Sequence, residues 1–215
     1  MIRIRHGAVS LALHQLTEGD GTPLLLLHSL GGSSREWPAD DILWPGAVFA
    51  LDFCGHGASD SVKGGAYSAE LLAADADHAL AHIGGECAVA GSGLGAYVAL
   101  LLAGARNDLV AAALLLPGCG LEGGPPQPEL ARGFALIEEA EARPTGACDP
   151  RVIQIDRMIR PPEYADALAE EAPDLLLGED GGARPPWWIS LRQRPNARRC
   201  AAELPAALQS LLARL

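Results

Sequence analysis

Cys87-Ala88-Val89-Ala90-Gly91-Ser92-Gly93-Leu94-Gly95-Ala96-Tyr97-Val98-Ala99-Leu100 is the stretch on which the fold turns. It opens as an apolar run of strand length, passes through glycines at three alternate positions, and continues as an apolar segment to Ala105 that reads as a helix. A sharp turn between strand and helix strains its central residue and demands small residues two before and two after it. Gly91 and Gly95 meet that demand, which puts Gly93 at the centre. A register shifted by one would centre the turn on Ser92, flanked by Ala90 and Leu94, and the Leu94 side chain would crowd it.

Upstream, Leu24 to Leu27 reads as a buried strand ending at His28 and the small-residue turn Ser29 to Ser34. Ala47 to Leu51 repeats the design, ending at Asp52 and the turn Cys54-Gly55-His56-Gly57-Ala58-Ser59. Ala8 to Leu16 suits an antiparallel edge hairpin. Ser68 to Ile83 spaces Leu71, Leu72, Ala76, Ala79, Leu80 and Ile83 as one helical face, with Ser68 as N-cap. Downstream, Val110 to Leu116 is a fourth strand stopped by Pro117-Gly118. Continuous apolar strands alternating with helices imply an α/β fold with a mostly parallel sheet covered on both faces.

After Gly118 the character changes to a proline-rich loop and helical patterns over 129–143, 151–159 and 162–171, then a terminal helix over 201–215 with Leu204, Leu208, Leu211 and Leu212 on one stripe. Residues 1–121 therefore read as the core and 122–215 as a helical, lid-like and C-terminal segment of one compact unit. Leu175-Leu176-Leu177 offers few apolar residues for a central strand, so this stretch is expected to be a lid loop, with the last strands of the sheet missing through truncation, gene splitting or fragmentation. An unpaired sheet edge would then offer a route to oligomers. Trp187 and Trp188, with Tyr164 and Phe134, are expected to pack in the core or line a pocket under the lid.

With 215 residues, 49% hydrophobic and 20% charged, the chain suits one globular domain. A net charge of −11 disfavours nucleic acid and anionic membrane surfaces as partners. No apolar run reaches the length of a membrane span, and the alternating start Met1 to His6 is unlike a signal peptide, so the cytoplasm is expected. Cys54, Cys87, Cys119, Cys148 and Cys200 lie far apart with no histidine spaced for zinc, so neither a metal, a cofactor nor a disulfide framework is expected. His78 and His82, four apart on a helix, read as a solvated face.

Three landmarks occur in order: the strand ending in a histidine and small-residue loop at 24–32, Asp-x-x-Gly-His-Gly-x-Ser at 52–59, and the glycine-rich elbow. Together they resemble the front half of the α/β-hydrolase fold. The elbow is similar to that of the NDRG proteins, relatives regarded as lacking hydrolase activity.

The resemblance implies a nucleophile at the elbow, an acid after a later strand, and a histidine last along the chain. Here the nucleophile position is Gly93, and His6, His14, His28, His56, His78 and His82 all precede it, so no general base follows. Ser92 and Asp180 are the remaining candidates for nucleophile and acid, and Asp52 reads as a loop anchor rather than a catalytic group.

The same resemblance places an oxyanion hole around His28, Ser29, Leu30 and Leu94, formed by main-chain N–H groups that stabilise negative charge whatever side chain they carry. Two functions follow as expectations. One is hydrolysis of small esters or other acyl compounds with a degenerate triad. The other is a non-catalytic pseudoenzyme that binds a small acyl or carboxylate ligand or acts as a scaffold.

Overall fold

Leu24, Leu25, Leu26 and Leu27 have no polar face, so they are satisfied only inside a sheet with both faces covered, and all four are fully buried. The computed structural model describes residues 1–64, 67–121, 148–158 and 160–215. The four leucines end β2 (Val9–Leu27). The first half of β2 pairs antiparallel with β1 (Ile2–His6), from Ile2↔Leu13 to His6↔Val9, which is the edge hairpin expected from the sequence. It also opposes β3 (Gly46–Asp52) through Ala12↔Asp52 and Leu13↔Leu51. Past a run of register shifts, the partners rise together from Leu24↔Val48 to Leu27↔Leu51, so the second half of β2 runs alongside β3 in the same direction.

β4 (Cys87–Ser92) and β5 (Val110–Leu116) continue the sheet in parallel. Helix α1 (Ala69–Ile83) connects β3 to β4, and α2 (Leu94–Ala105) connects β4 to β5. The Ser68 hydroxyl accepts from Leu71 N at 3.2 Å and so caps α1 as its sequence predicts. Beyond β5 lie a 3-10 segment (Pro150–Arg157), α3 (Pro162–Glu171), β6 (Asp174–Glu179), α4 (Pro186–Leu191), β7 (Ala197–Ala201) and α5 (Leu204–Leu212).

The expectation that the last strands are missing is overturned. β6 pairs parallel with β5 through Ala112↔Asp174 to Leu115↔Leu177, and β7 pairs parallel with β6. Among the described residues the sheet has seven strands in the order β1-β2-β4-β5-β6-β7, with β3 paired to β2. Three leucines suffice for β6 because its neighbours and both covering layers complete their burial. Leu175 and Leu177 point into one apolar cluster with Val89, Leu115 and Trp187, and Leu176 into the opposite one with Leu208 and Leu211.

The terminal helix is correspondingly shorter than 201–215, because Ala197–Ala201 is spent on an edge strand whose Arg198 and Arg199 are exposed. In place of an α-helix over 151–159 the described residues show a 3-10 segment, Pro150–Arg157, whereas α3 falls where its sequence pattern placed it. The helical reading of 129–143, and Phe134 within it, lie outside the described residues.

Candidate functional site

The elbow forms where β4 meets α2. Gly93 sits there at φ +54° and ψ −112° and caps α2, while Ser92 remains in the strand. This backbone is costly for any residue bearing a Cβ, and it fixes the register on Gly93. The flanking glycines are required by contact: a Cβ on Gly91 would overlap the Gly95 carbonyl, and one on Gly95 would overlap the Leu27 carbonyl.

The space in front of Gly93 is filled by the loop leaving β5. A Cβ built on Gly93 would overlap the Cys119 carbonyl oxygen and lie 2.5 Å from Gly118 C. That same Cys119 oxygen accepts from Leu30 N at 3.0 Å and Leu94 N at 2.9 Å. The two main-chain donors expected to cradle an oxyanion therefore do converge on one oxygen, but the oxygen belongs to the chain itself. Ser29 N is directed elsewhere, to Glu36 Oε2 at 2.9 Å.

The loop is held at several points. Gly93 N donates to Leu116 O at 3.0 Å, and Ser92 Oγ donates to Pro117 O at 3.0 Å. Gly118 leaves no room for a side chain against Ser92 and Gly93, and Gly120, at φ +102°, lies against Leu30 and Leu94. Leu121 adopts φ +57° without being glycine, and its carbonyl accepts from the buried Trp187 Nε1 at 2.7 Å. Cys119 was not among the residues the sequence nominated. The available signal was the pair Gly118 and Gly120 around it, matching a side chain missing at Gly93.

Among the described residues the buried histidines nearest the elbow are committed to loops. His28 is fully buried, with Nδ1 2.7 Å from Ser29 O and Nε2 accepting from Phe53 N at 3.1 Å. His56 repeats the arrangement between Cys54 O and Gly31 N, at 3.2 and 3.3 Å. Burial lowers the pKa of both, and His28 beside it helps bring His56 down to about 3. Both rings are neutral posts that tie loops together. After the last strand, only Ala202 and Glu203 separate β7 from α5, which leaves no loop to carry a histidine.

Burial alone would raise the pKa of Asp52, but the N–H groups of Ala58 and Ser34 outweigh it and hold the carboxylate below its usual range. With Ser34 N at 2.6 Å and Ala58 N at 2.9 Å, Asp52 anchors the turn after β3. Asp180 follows directly on β6, where its Oδ1 accepts from Gly182 N at 2.8 Å and from Arg184 Nη2 at 2.5 Å. Those two donors lower its pKa. Burial pushes the Cys54 and Cys87 thiols up to about 12, so neither is a thiolate nucleophile. His78 donates toward Ala74 O and stacks on His6, at 4.3 Å between ring centroids. Among the described residues no three metal-ligating side chains converge, and no helix is long and apolar enough to cross a membrane.

A cleft of about 60 Å³ remains beside the filled hole, lined by Gly93, Leu116, Pro117, Arg184, Trp187 and Trp188. The two tryptophans are both core and wall, 1% and 2% exposed. Tyr164 is 44% exposed and does not join them.

A family model described as "Alpha/beta hydrolase family" matches residues 24–214. No curated protein matches the sequence. Among solved structures, Est816, described as an N-acyl homoserine lactone degrading enzyme, is similar at TM-score 0.69 and 19% identity, over 99% of both chains. A hypothetical protein from Pseudomonas aeruginosa PAO1 is similar at TM-score 0.70 and 22% identity, over 99% of this chain and 96% of that one. A deformylase from Pseudomonas putida S16 is similar at TM-score 0.68 and 16% identity, over 99% and 98%. At such identities the likeness carries the fold and not the chemistry.

Proposed function

The chain belongs to the alpha/beta hydrolase family, and from that premise we propose that it is a non-catalytic member, a binding or scaffolding protein on a hydrolase frame. The observation that carries this reading is the Cys119 carbonyl, bonded to Leu30 N and Leu94 N where a substrate carbonyl would have to sit. Acyl transfer in this family needs an activated nucleophile, a base and an empty two-donor hole. Here the nucleophile position has no side chain, no histidine follows His82, and the hole is full.

Hydrolysis of small esters or acyl compounds, suggested by the family and by neighbours such as the lactone-degrading enzyme and the deformylase, would require Ser92 to act. Its hydroxyl is instead committed to Pro117 O, and no histidine follows it in the sequence. Asp180 as acid would likewise have no histidine to orient. The compartment that goes with this reading is the cytoplasm, where buried thiols such as Cys54 and Cys87 stay reduced.

The test is turnover of chromogenic esters from short to medium acyl length at high protein concentration. Rates equal to buffer at every length are expected. Turnover that scales with protein concentration, and that Ser92→Ala removes, would overturn the proposal.

A further inference from the structure

We infer that the cleft beside the filled hole is a binding site for a short-chain monocarboxylate, anchored by Arg184. The inference deepens the non-catalytic reading and rests on it, because a working hydrolase would hold its acyl group in the same place. Arg184 comes from the loop between β6 and α4, and its side chain is only 7% exposed. Nη2 pairs with Asp180 at 2.5 Å, Nη1 donates to Ala183 O at 3.0 Å, and the guanidinium lies 5.5 Å over the Trp188 ring. Its Nε is buried and has no acceptor. A buried donor on a cation that meets no oxygen is costly to the fold, and the cleft that Arg184 lines is where an oxygen can reach it.

Among the described residues lining the cleft, Arg184 is the cation placed to accept a ligand. Glu179, its neighbour at the end of β6, is fully engaged by Arg192, with Nε and Nη2 each at 2.8 Å from one of its oxygens. Asp180 is different. Its side chain is 49% exposed, so it can turn to solvent and release Nη2, giving an incoming carboxylate the Nε and Nη2 edge that suits its two coplanar oxygens. The positive end of α2, which begins at Gly93 on the cleft wall, adds to the same preference.

Volume and lining set the ligand class. A water needs roughly 10–15 Å³ of such space, so about 60 Å³ admits a group the size of acetate or propionate. The remaining walls combine the apolar faces of Leu116, Pro117, Pro185, Trp187 and Trp188 with the small residues Gly118, Gly120 and Ala183. Both indole N–H groups are engaged, with Leu121 O and Glu179 Oε1. The carbon end of a short carboxylic acid fits the apolar faces and its two oxygens match the one guanidinium edge, whereas phosphate has four oxygens and no carbon end to set against those faces.

The experiment titrates the full chain with acetate, propionate, hexanoate and inorganic phosphate at constant ionic strength and neutral pH. Tryptophan fluorescence reads the cleft, and ligand-observed NMR reads the bound acid. Saturable binding of acetate and propionate is expected, with hexanoate and phosphate at least about tenfold weaker. Arg184→Met should remove the binding. Asp180→Asn, which weakens the hold on Nη2 and removes a charge of the ligand's own sign, should tighten it by about threefold or more.

A linear acetate titration, saturation that survives Arg184→Met, or weaker binding in Asp180→Asn would overturn the assignment. The ester assay separates the two readings. Saturable acetate binding together with turnover leaves this site standing and removes the non-catalytic reading, while neither binding nor turnover does the reverse.

Discussion

Restoring a serine to the elbow by Gly93→Ser is the most direct perturbation of this site. In a working hydrolase the new hydroxyl would be the nucleophile, but here its Cβ would overlap the Cys119 carbonyl oxygen and lie 2.6 Å from Cys119 N. Forcing extra atoms into a packed site costs about 1–3 kcal/mol. Holding a residue with a Cβ at φ +54° adds about 1–3 kcal/mol. If the loop retreats instead, the clash is exchanged for the hydrogen bonds that Leu30 N and Leu94 N make to Cys119 O, each worth about 1 kcal/mol.

The two routes together span a loss of about 2–6 kcal/mol, a large share of an ordinary domain's roughly 5–15 kcal/mol. For a chain of 215 residues this lowers Tm by about 4–24 °C. Urea unfolding and a thermal melt measure it, with Gly93→Ala as the control that adds the Cβ without the hydroxyl. Both variants should be destabilised alike, and Gly93→Ser should turn over no ester, since no base adjoins it. A Gly93→Ser protein that melts with the native chain, or that hydrolyses esters, would refute the reasoning.

Trp187→Phe removes the donor to Leu121 O while keeping most of the aromatic packing on Tyr97. It should cost about 1–3 kcal/mol in urea unfolding, because a buried carbonyl at a strained residue loses its partner. Acid titration of stability should expose the buried histidines. With His56 brought down to about 3 in the fold, the unfolded chain holds a proton that the folded chain lacks from about pH 6.5 downward, so stability falls as pH drops, by about 1.4 kcal/mol per unit. His56→Gln should flatten that slope by about the same amount between pH 6 and 5, as read from urea midpoints. Asp75, raised chiefly by burial, works in the opposite direction but is common to both proteins and cancels. Ser68→Ala removes the cap of α1 and should cost about 0.5–2 kcal/mol in a thermal or urea melt, without altering acetate binding.

The front of the fold was legible because its signals are local. Apolar runs without a polar face, a serine ahead of an amphipathic helix, and glycines spaced by two each constrain their own few residues, and β4, α1, α2 and β5 follow from them. The rear was misread where a strand borrows its stability from elsewhere. β6 has three leucines and edge strand β7 carries Arg198 and Arg199. Neither shows a run long enough to announce itself, and only hydrogen bonding to β5, followed by α5 closing over Leu176, makes them strands.

The elbow divides along the same line. Glycine at position 93, and the absence of a histidine after His82, are properties of the sequence alone, and the proposed non-catalytic reading draws on them without reference to any contact. That Cys119 O takes the N–H groups of both Leu30 and Leu94 is a property of the tertiary structure. It depends on a carbonyl, a group that every residue possesses, and on Gly118 and Gly120 letting the loop after β5 approach Leu30 and Leu94, which lie far apart along the chain. Main-chain groups leave no mark in a sequence pattern, so which oxygen fills the hole could be decided only by the packing.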